Sequence, residues 1–126
     1  MNNIPFQNAC VAATDATRPI CELEWNAHPA FEGVHIKDLI TGADTGGRLS
    51  CHLVRVAPGC CLKEHDHPTQ TELHQVAAGQ GTCMIQEKKV AYHPGEMAII
   101  PQGERHSVMA GEHGLTLVAT FSPPLK

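Results

Sequence analysis

The chain has 126 residues, a formal charge of −4 and 42% hydrophobic residues, enough for one ordinary folded domain and too apolar for disorder. Its nine lysines and arginines are scattered without a basic stripe, so nucleic acid is not an expected partner. No apolar run approaches the length of a membrane helix and residues 1–6 lack the basic and apolar regions of a secretory signal, so no membrane partner is expected and the expected location is cytoplasmic.

Eleven glycines and nine prolines punctuate the chain and leave little room for helices. Residues 8–17, rich in alanine, read as a turn of helix or an extended arm. Residues 34–40 are rich in β-branched side chains and read as a strand, followed by a loose loop over 42–47. Short runs with a period of two then follow: 49–56, closed by Pro58-Gly59; 62–67, closed by Pro68; and 72–77, closed by Gly79-Gln80-Gly81. Residues 82–86 and 90–92 flank the polar turn Glu87-Lys88-Lys89, a hairpin signal. Residues 97–100, 106–109 and 115–121 complete the set. Many short strands at regular spacing predict an all-β sandwich, jelly roll or barrel.

The six cysteines form no C-x-x-C pair, and Cys60 and Cys61 are adjacent, which suits a disulfide poorly. In a reducing compartment most of them are expected to be small buried hydrophobes.

The histidines carry the chemistry. In His65-Asp66-His67 the two imidazoles are two positions apart, so on a strand they point to the same side and can meet one ion. Glu72 follows after a turn-rich link, and His106 opens a later strand after Pro101-Gln102-Gly103. Three imidazoles and a carboxylate form a borderline-hard donor set suited to Fe, Mn, Ni, Co, Cu or Zn. Glu72 and His74 share parity, so a Glu72 that points inward takes His74 with it. His74 then reads as a general base, a partner to a metal ligand, a donor to substrate, or a half-buried histidine satisfied by backbone. On the strand 49–56, parity groups His52 with Val54 and Val56, and Cys51 with Leu53 and Arg55. If the second group lines the interior, Arg55 becomes an anchor for a substrate carboxylate; otherwise it is a surface charge. His28, His93 and His113 lie beside proline or glycine and are expected to be exposed, and Tyr92 reads as packing.

The segment Gly59-x5-His65-x-His67-x4-Glu72-x6-Gly79 resembles the first cupin motif at every position. Gly95-x5-Pro101-x-Gly103-x2-His106 resembles the second, departing only where Ala110 stands in place of the usual Asn. The resemblance runs from about residue 49 to 124. It implies a cupin jelly-roll, or double-stranded β-helix, barrel over residues 46–126, with residues 1–45 as an N-terminal extended arm and first strand. It further implies one divalent transition metal ion on His65, His67, Glu72 and His106, with coordination positions left open, and His74 as the candidate catalytic residue. The thiol dioxygenases of this superfamily usually lack the glutamate, so Glu72 argues against that activity. The expected function is that of a metal-dependent enzyme on a small polar metabolite, of the dioxygenase, isomerase or lyase class. The alternative is a non-catalytic metal- or ligand-binding sensor, suggested by a faint likeness of residues 25–59 to the cupin part of zinc-binding anti-sigma regulators. A homodimer is expected, because an unpaired edge on strand 34–40 invites a second chain.

Overall fold

A computed structural model describes residues 5–126, and strands account for nearly all of their regular structure. In chain order they are β1 (Cys10–Ala12), β2 (Thr17–Pro19), β3 (Asn26–Ala27), β4 (Val34–Ile40), β5 (Ser50–Val56), β6 (Cys61–His65), β7 (Thr71–Ile85), β8 (Lys88–Tyr92), β9 (Met97–Ile100) and β10 (His106–Ser122). Two short 3-10 turns, at Ile20–Glu22 and Gly42–Asp44, are the only helical pieces among the described residues.

The strands expected at 34–40 and 97–100 are β4 and β9. The largest departure is that β7 and β10 each join two expected strands into one. Glycines in the middle bend these long strands rather than ending them. Ala110 pairs with Gly81 and Leu115 with Gly79, so residues 111–114 bulge out of β10 opposite Gln80. The bulge resets the inward parity. Glu72, His74 and Val76 are buried before the bend in β7, and Cys83 after it; Val108 and Ala110 are buried before the bend in β10, and Leu115, Leu117 and Ala119 after it.

Each long strand therefore serves two faces of the barrel. The C-terminal half of β10 pairs with β5 and with the N-terminal half of β7, which also carries β9. The N-terminal half of β10 pairs with β6 and with the far half of β7, which carries β8. The inward side chains of all these strands merge into one aliphatic core that includes Val54, Val56, Leu62, Val76, Val108 and Leu117. This is the jelly-roll barrel.

A second apolar cluster lies outside it. Ile20, on the arm, packs on Leu39 and Leu53 with Leu23 and Trp25 around them. Lys37 donates to the Ile20 carbonyl at 3.0 Å, and its ammonium and the Arg55 guanidinium sit 4.9 and 4.4 Å from the Trp25 ring centre. The arm thus settles the orientation of β5. His52, Val54 and Val56 point inward and Arg55 points out, so Arg55 is not an anchor inside the barrel.

The arm also occupies part of the β4 edge. β3 pairs with His35 and Ile36, and Arg18 donates to the Leu39 carbonyl at 2.8 Å while bridging to Asp44 at 3.0 Å. The cysteines differ from expectation: only Cys83 is buried, Cys10 and Cys21 are exposed and the other three are half-buried. Cys10 and Cys21 lie on the thin arm, one side of which faces solvent.

Gly79 holds the bend together. Its φ is +79°, and a Cβ there would collide with the carbonyl oxygen of Gly114 across the β7–β10 ladder. Gly79→Ala is expected to lose about 1–2 kcal/mol to the left-handed backbone and about 1–3 kcal/mol more to overpacking. Gly59, at φ +72° with open space around it, should show the first loss alone. Urea unfolding of the two variants checks this, and equal losses would contradict it.

Candidate metal centre

The site is built where β6, β7 and β10 meet. β6 ends at His65, and His67 lies in the loop beyond it, so the two rings do not share a strand face as their spacing suggested. The loop nevertheless returns His67 to the same place. The turn before β10 holds it there: the Gly103 amide donates to the His67 carbonyl at 3.0 Å, and Gln102 donates to the Pro68 carbonyl at 2.9 Å. These two bonds join the second sequence motif physically to the first.

His106 opens β10 opposite His65, with ring centres 4.3 Å apart. The His67 ring stands 5.1 Å from that of His65 and 5.6 Å from that of His106. One ring nitrogen from each of the three lies within 4.8 Å of the others. Glu72, on β7, completes the group: its Oε1 is 3.1 Å from His106 Nε2 and 3.5 Å from His67 Nε2.

Hydrogen bonding fixes which nitrogens are free. His65 Nδ1 donates to the Lys63 carbonyl at 2.6 Å, and His106 Nδ1 donates to the Glu104 carbonyl at 2.9 Å. A carbonyl oxygen only accepts, so in the neutral rings each Nε2 is a bare lone pair. Glu72 Oε1 and His106 Nε2 are both buried without a hydrogen-bond partner. Two buried acceptors facing each other at this distance are costly unless a cation lies between them. The donor set and these two unsatisfied atoms fit a bound metal ion.

Glu72, His74 and His106 form a second close trio, in which both ring nitrogens of His74 already have partners. It is 2% exposed, with Nε2 on Glu72 Oε2 at 2.7 Å and Nδ1 on the Tyr92 hydroxyl at 2.8 Å. Tyr92, read from sequence as packing, is a polar partner of the site as well as part of the core. The hairpin signal at Glu87-Lys88-Lys89 marks the strand that carries it but not the register, which sets Tyr92 against Gly81. His28 also differs from expectation, being half-buried and stacked on Phe31, whose ring is 5.6 Å from that of His65. His93 and His113 are exposed. His52 is fully buried and satisfied, bonding Asp38 at 2.7 Å and Ser50 at 2.8 Å, next to the Phe121 ring that also meets His67.

The electrostatics follow from this packing. Burial pushes His65 and His67 below the ordinary imidazole range. Burial opposes ionisation of Glu72, yet the imidazoles of His106 and His74 on either side of it hold its carboxyl far below the usual carboxylate range. For His106 burial is likewise overcome by Glu72, and its pKa is raised. A proton and a metal ion therefore compete for the same space between Glu72 and His106.

Comparison with known proteins agrees with the fold and the motifs. A family model described as "Cupin domain" matches residues 52–121, more than half of the chain, and the protein belongs to the cupin family. The pectin degradation protein KdgF of Dickeya dadantii (strain 3937) is 30% identical over 87 residues, which cover 69% of this chain and 76% of that protein. The structure of KdgF from a Halomonas species superposes with a TM-score of 0.73 at 20% identity, over 82% of this chain and 88% of that one. A predicted oxalate decarboxylase from Thermotoga maritima superposes with a TM-score of 0.76 at 19% identity, over 82% and 96% of the two chains.

His65→Ala, His67→Ala and His106→Ala are each expected to lower metal content sharply after dialysis, while His93→Ala leaves it unchanged. Full metal content in any two of the three site variants would refute the assignment. Acid should act the same way. Imidazole binds metal only when neutral, and its reference pKa is about 6.5. Burial lowers the values for His65 and His67 while Glu72 raises that of His106, so protons compete first at His106, and metal should be lost as pH falls through about 6 to 4. Metal content independent of pH down to about 3 would contradict a histidine-rich site.

Proposed function

We propose that this cupin is a mononuclear metal-dependent enzyme acting on a small polar metabolite, in the dioxygenase, isomerase or lyase class, with one divalent transition metal ion on His65, His67, Glu72 and His106. The observation that carries the reading is the buried pair Glu72 Oε1 and His106 Nε2, neither of which has a hydrogen-bond partner. When bound, the ion supplies Lewis acidity, or redox capacity if it is iron. The ionised Glu72 offsets one of its two positive charges and the neutral imidazoles none, so the centre keeps a net positive charge. Such a centre favours a substrate with a carboxylate or another electron-rich oxygen. Phe31 and Phe121, beside His65 and His67, supply apolar walls that orient such a molecule and limit water around the centre.

The 30% identical pectin degradation protein makes pectin fragments the first compounds to try. The test is metal analysis of protein purified without added salts, followed by a screen for compounds that raise the melting temperature and then for their turnover. A ligand at about 100 times its Kd should stabilise the fold by about 2.7 kcal/mol. Tightly held zinc, with neither stabilising ligand nor turnover, would replace this reading with the sensor.

A cytoplasmic location and a pair of chains belong to the same proposal. All six cysteines are free, which suits a reducing compartment. With part of the β4 edge taken by the arm, support for pairing moves to the outer face of β7 and β9, where Leu73 lies opposite Ile99. Ile99 is 68% and the neighbouring Met97 61% exposed, unusually high for such side chains. Sedimentation at micromolar concentration should give a dimer for the native chain and a monomer for Ile99→Glu. A native monomer would refute the pairing.

A further inference from the structure

Glu72 has two carboxylate oxygens, and the fold treats them differently. Oε1 faces His67 and His106 and has no hydrogen-bond partner. Oε2 points the other way and accepts from His74 Nε2 at 2.7 Å. An ionised carboxylate only accepts, so this His74 nitrogen carries a proton. In the neutral ring Nδ1 is then the acceptor, and it receives the Tyr92 hydroxyl at 2.8 Å. The donors thus run in one direction, from Tyr92 to His74 to Glu72. All three side chains are buried, at 1%, 2% and 5% exposure, so none is free to turn toward water instead. They also sit on rigid neighbours: Glu72 and His74 on β7, and Tyr92 on β8, in a hairpin joined by continuous pairing from Gly81 to Ile85.

We propose that His74 and Tyr92 are positioning residues which hold Glu72 by Oε2, so that Oε1 alone is presented to the metal. This rests on the metal-centre reading above and extends it. A carboxylate with both oxygens free can occupy two coordination positions or rotate away from the ion. Held by one oxygen, it can do neither, and positions on the far side stay open for substrate. Both His74 nitrogens are committed to this task. The role is therefore distinct from proton transfer to substrate, for which His74 has no free nitrogen.

The test uses Co(II) as the probe on full-length protein. Its dissociation constant is measured by competition with a chelator, and its visible absorption reports the coordination around it. His74→Leu removes the donor to Oε2, Tyr92→Phe removes a single oxygen from behind it, and His74→Gln keeps an amide N–H where Nε2 was. Loss of such a supporting partner typically weakens metal binding by about 10–100-fold. His74→Leu is expected to fall in that range and to change the intensity of the Co(II) bands, and Tyr92→Phe to lie near its lower end. His74→Gln should recover most of the affinity and the native spectrum.

If His74→Leu fails to fold, Tyr92→Phe still decides, since it deletes one hydroxyl from an otherwise unchanged core. Native affinity and spectrum in Tyr92→Phe, or in a folded His74→Leu, would overturn the proposal while leaving the metal centre standing. Equal losses for Leu and Gln at position 74 would also overturn it, because a purely structural ring would not be rescued by an amide. Native protein that takes up no Co(II) would sink the metal centre itself and this assignment with it.

Discussion

The structure turns on one buried carboxylate. Glu72 is almost wholly removed from water, and an isolated charge in that setting is very costly. It stays ionised because His106 lies on one side of it and His74 on the other, against the pull of desolvation. That requirement constrains three strands at once. β7 must bring Glu72 and His74 in on the same face, β10 must begin with His106 next to them, and β8 must place Tyr92 behind His74. A change in the register of any of them by one residue would turn a member of the group outward and leave the carboxylate unpaired.

The barrel meets this requirement through its two long bent strands. β7 and β10 are paired on both sides of the bulge, so the positions of Glu72 and His106 relative to each other are set by strand pairing rather than by loops. The glycines at the bend allow the two backbones to approach more closely than side chains permit. Loops enter only at the rim, where the turn at Pro101-Gln102-Gly103 ties down the segment carrying His67 through backbone and side-chain hydrogen bonds. The rigid part of the site therefore holds Glu72 and His106, and the rim carries His67 together with the aromatic pair His28 and Phe31.

Outside the barrel the arm performs a different task. It lays Ile20 and Trp25 over the outer surface of β4 and β5 and spends two cations, Lys37 and Arg55, on the Trp25 ring. By burying Leu53 from outside, it makes the opposite parity of β5 the inner one. His52 thereby enters the barrel and needs Asp38 and Ser50 to satisfy its two nitrogens. The part of the arm around Ile20, Leu23 and Trp25, outside the site, thus covers one face of a core strand and leaves the other to line the interior.

The strand-rich fold and the candidate ligands His65, His67, Glu72 and His106 were legible in the sequence because they rest on local signals. Alternation every two residues marks the strands, glycine and proline mark their limits, and the two motifs carry ligand spacing and order. The rest depends on pairing between distant segments, which no local pattern encodes. Whether Gly79-Gln80-Gly81 ends a strand or bends one depends on whether β10 bulges opposite it. The inner parity of β5 depends on what the arm covers. The uneven use of the Glu72 oxygens depends on Tyr92, twenty residues away in the chain and set behind His74 by the hairpin. Sequence by itself determined which chemical groups are available and roughly where strands run. Only the tertiary structure decided which of their atoms are left without partners, because a lone pair becomes available to a metal only when every neighbouring donor is already committed elsewhere.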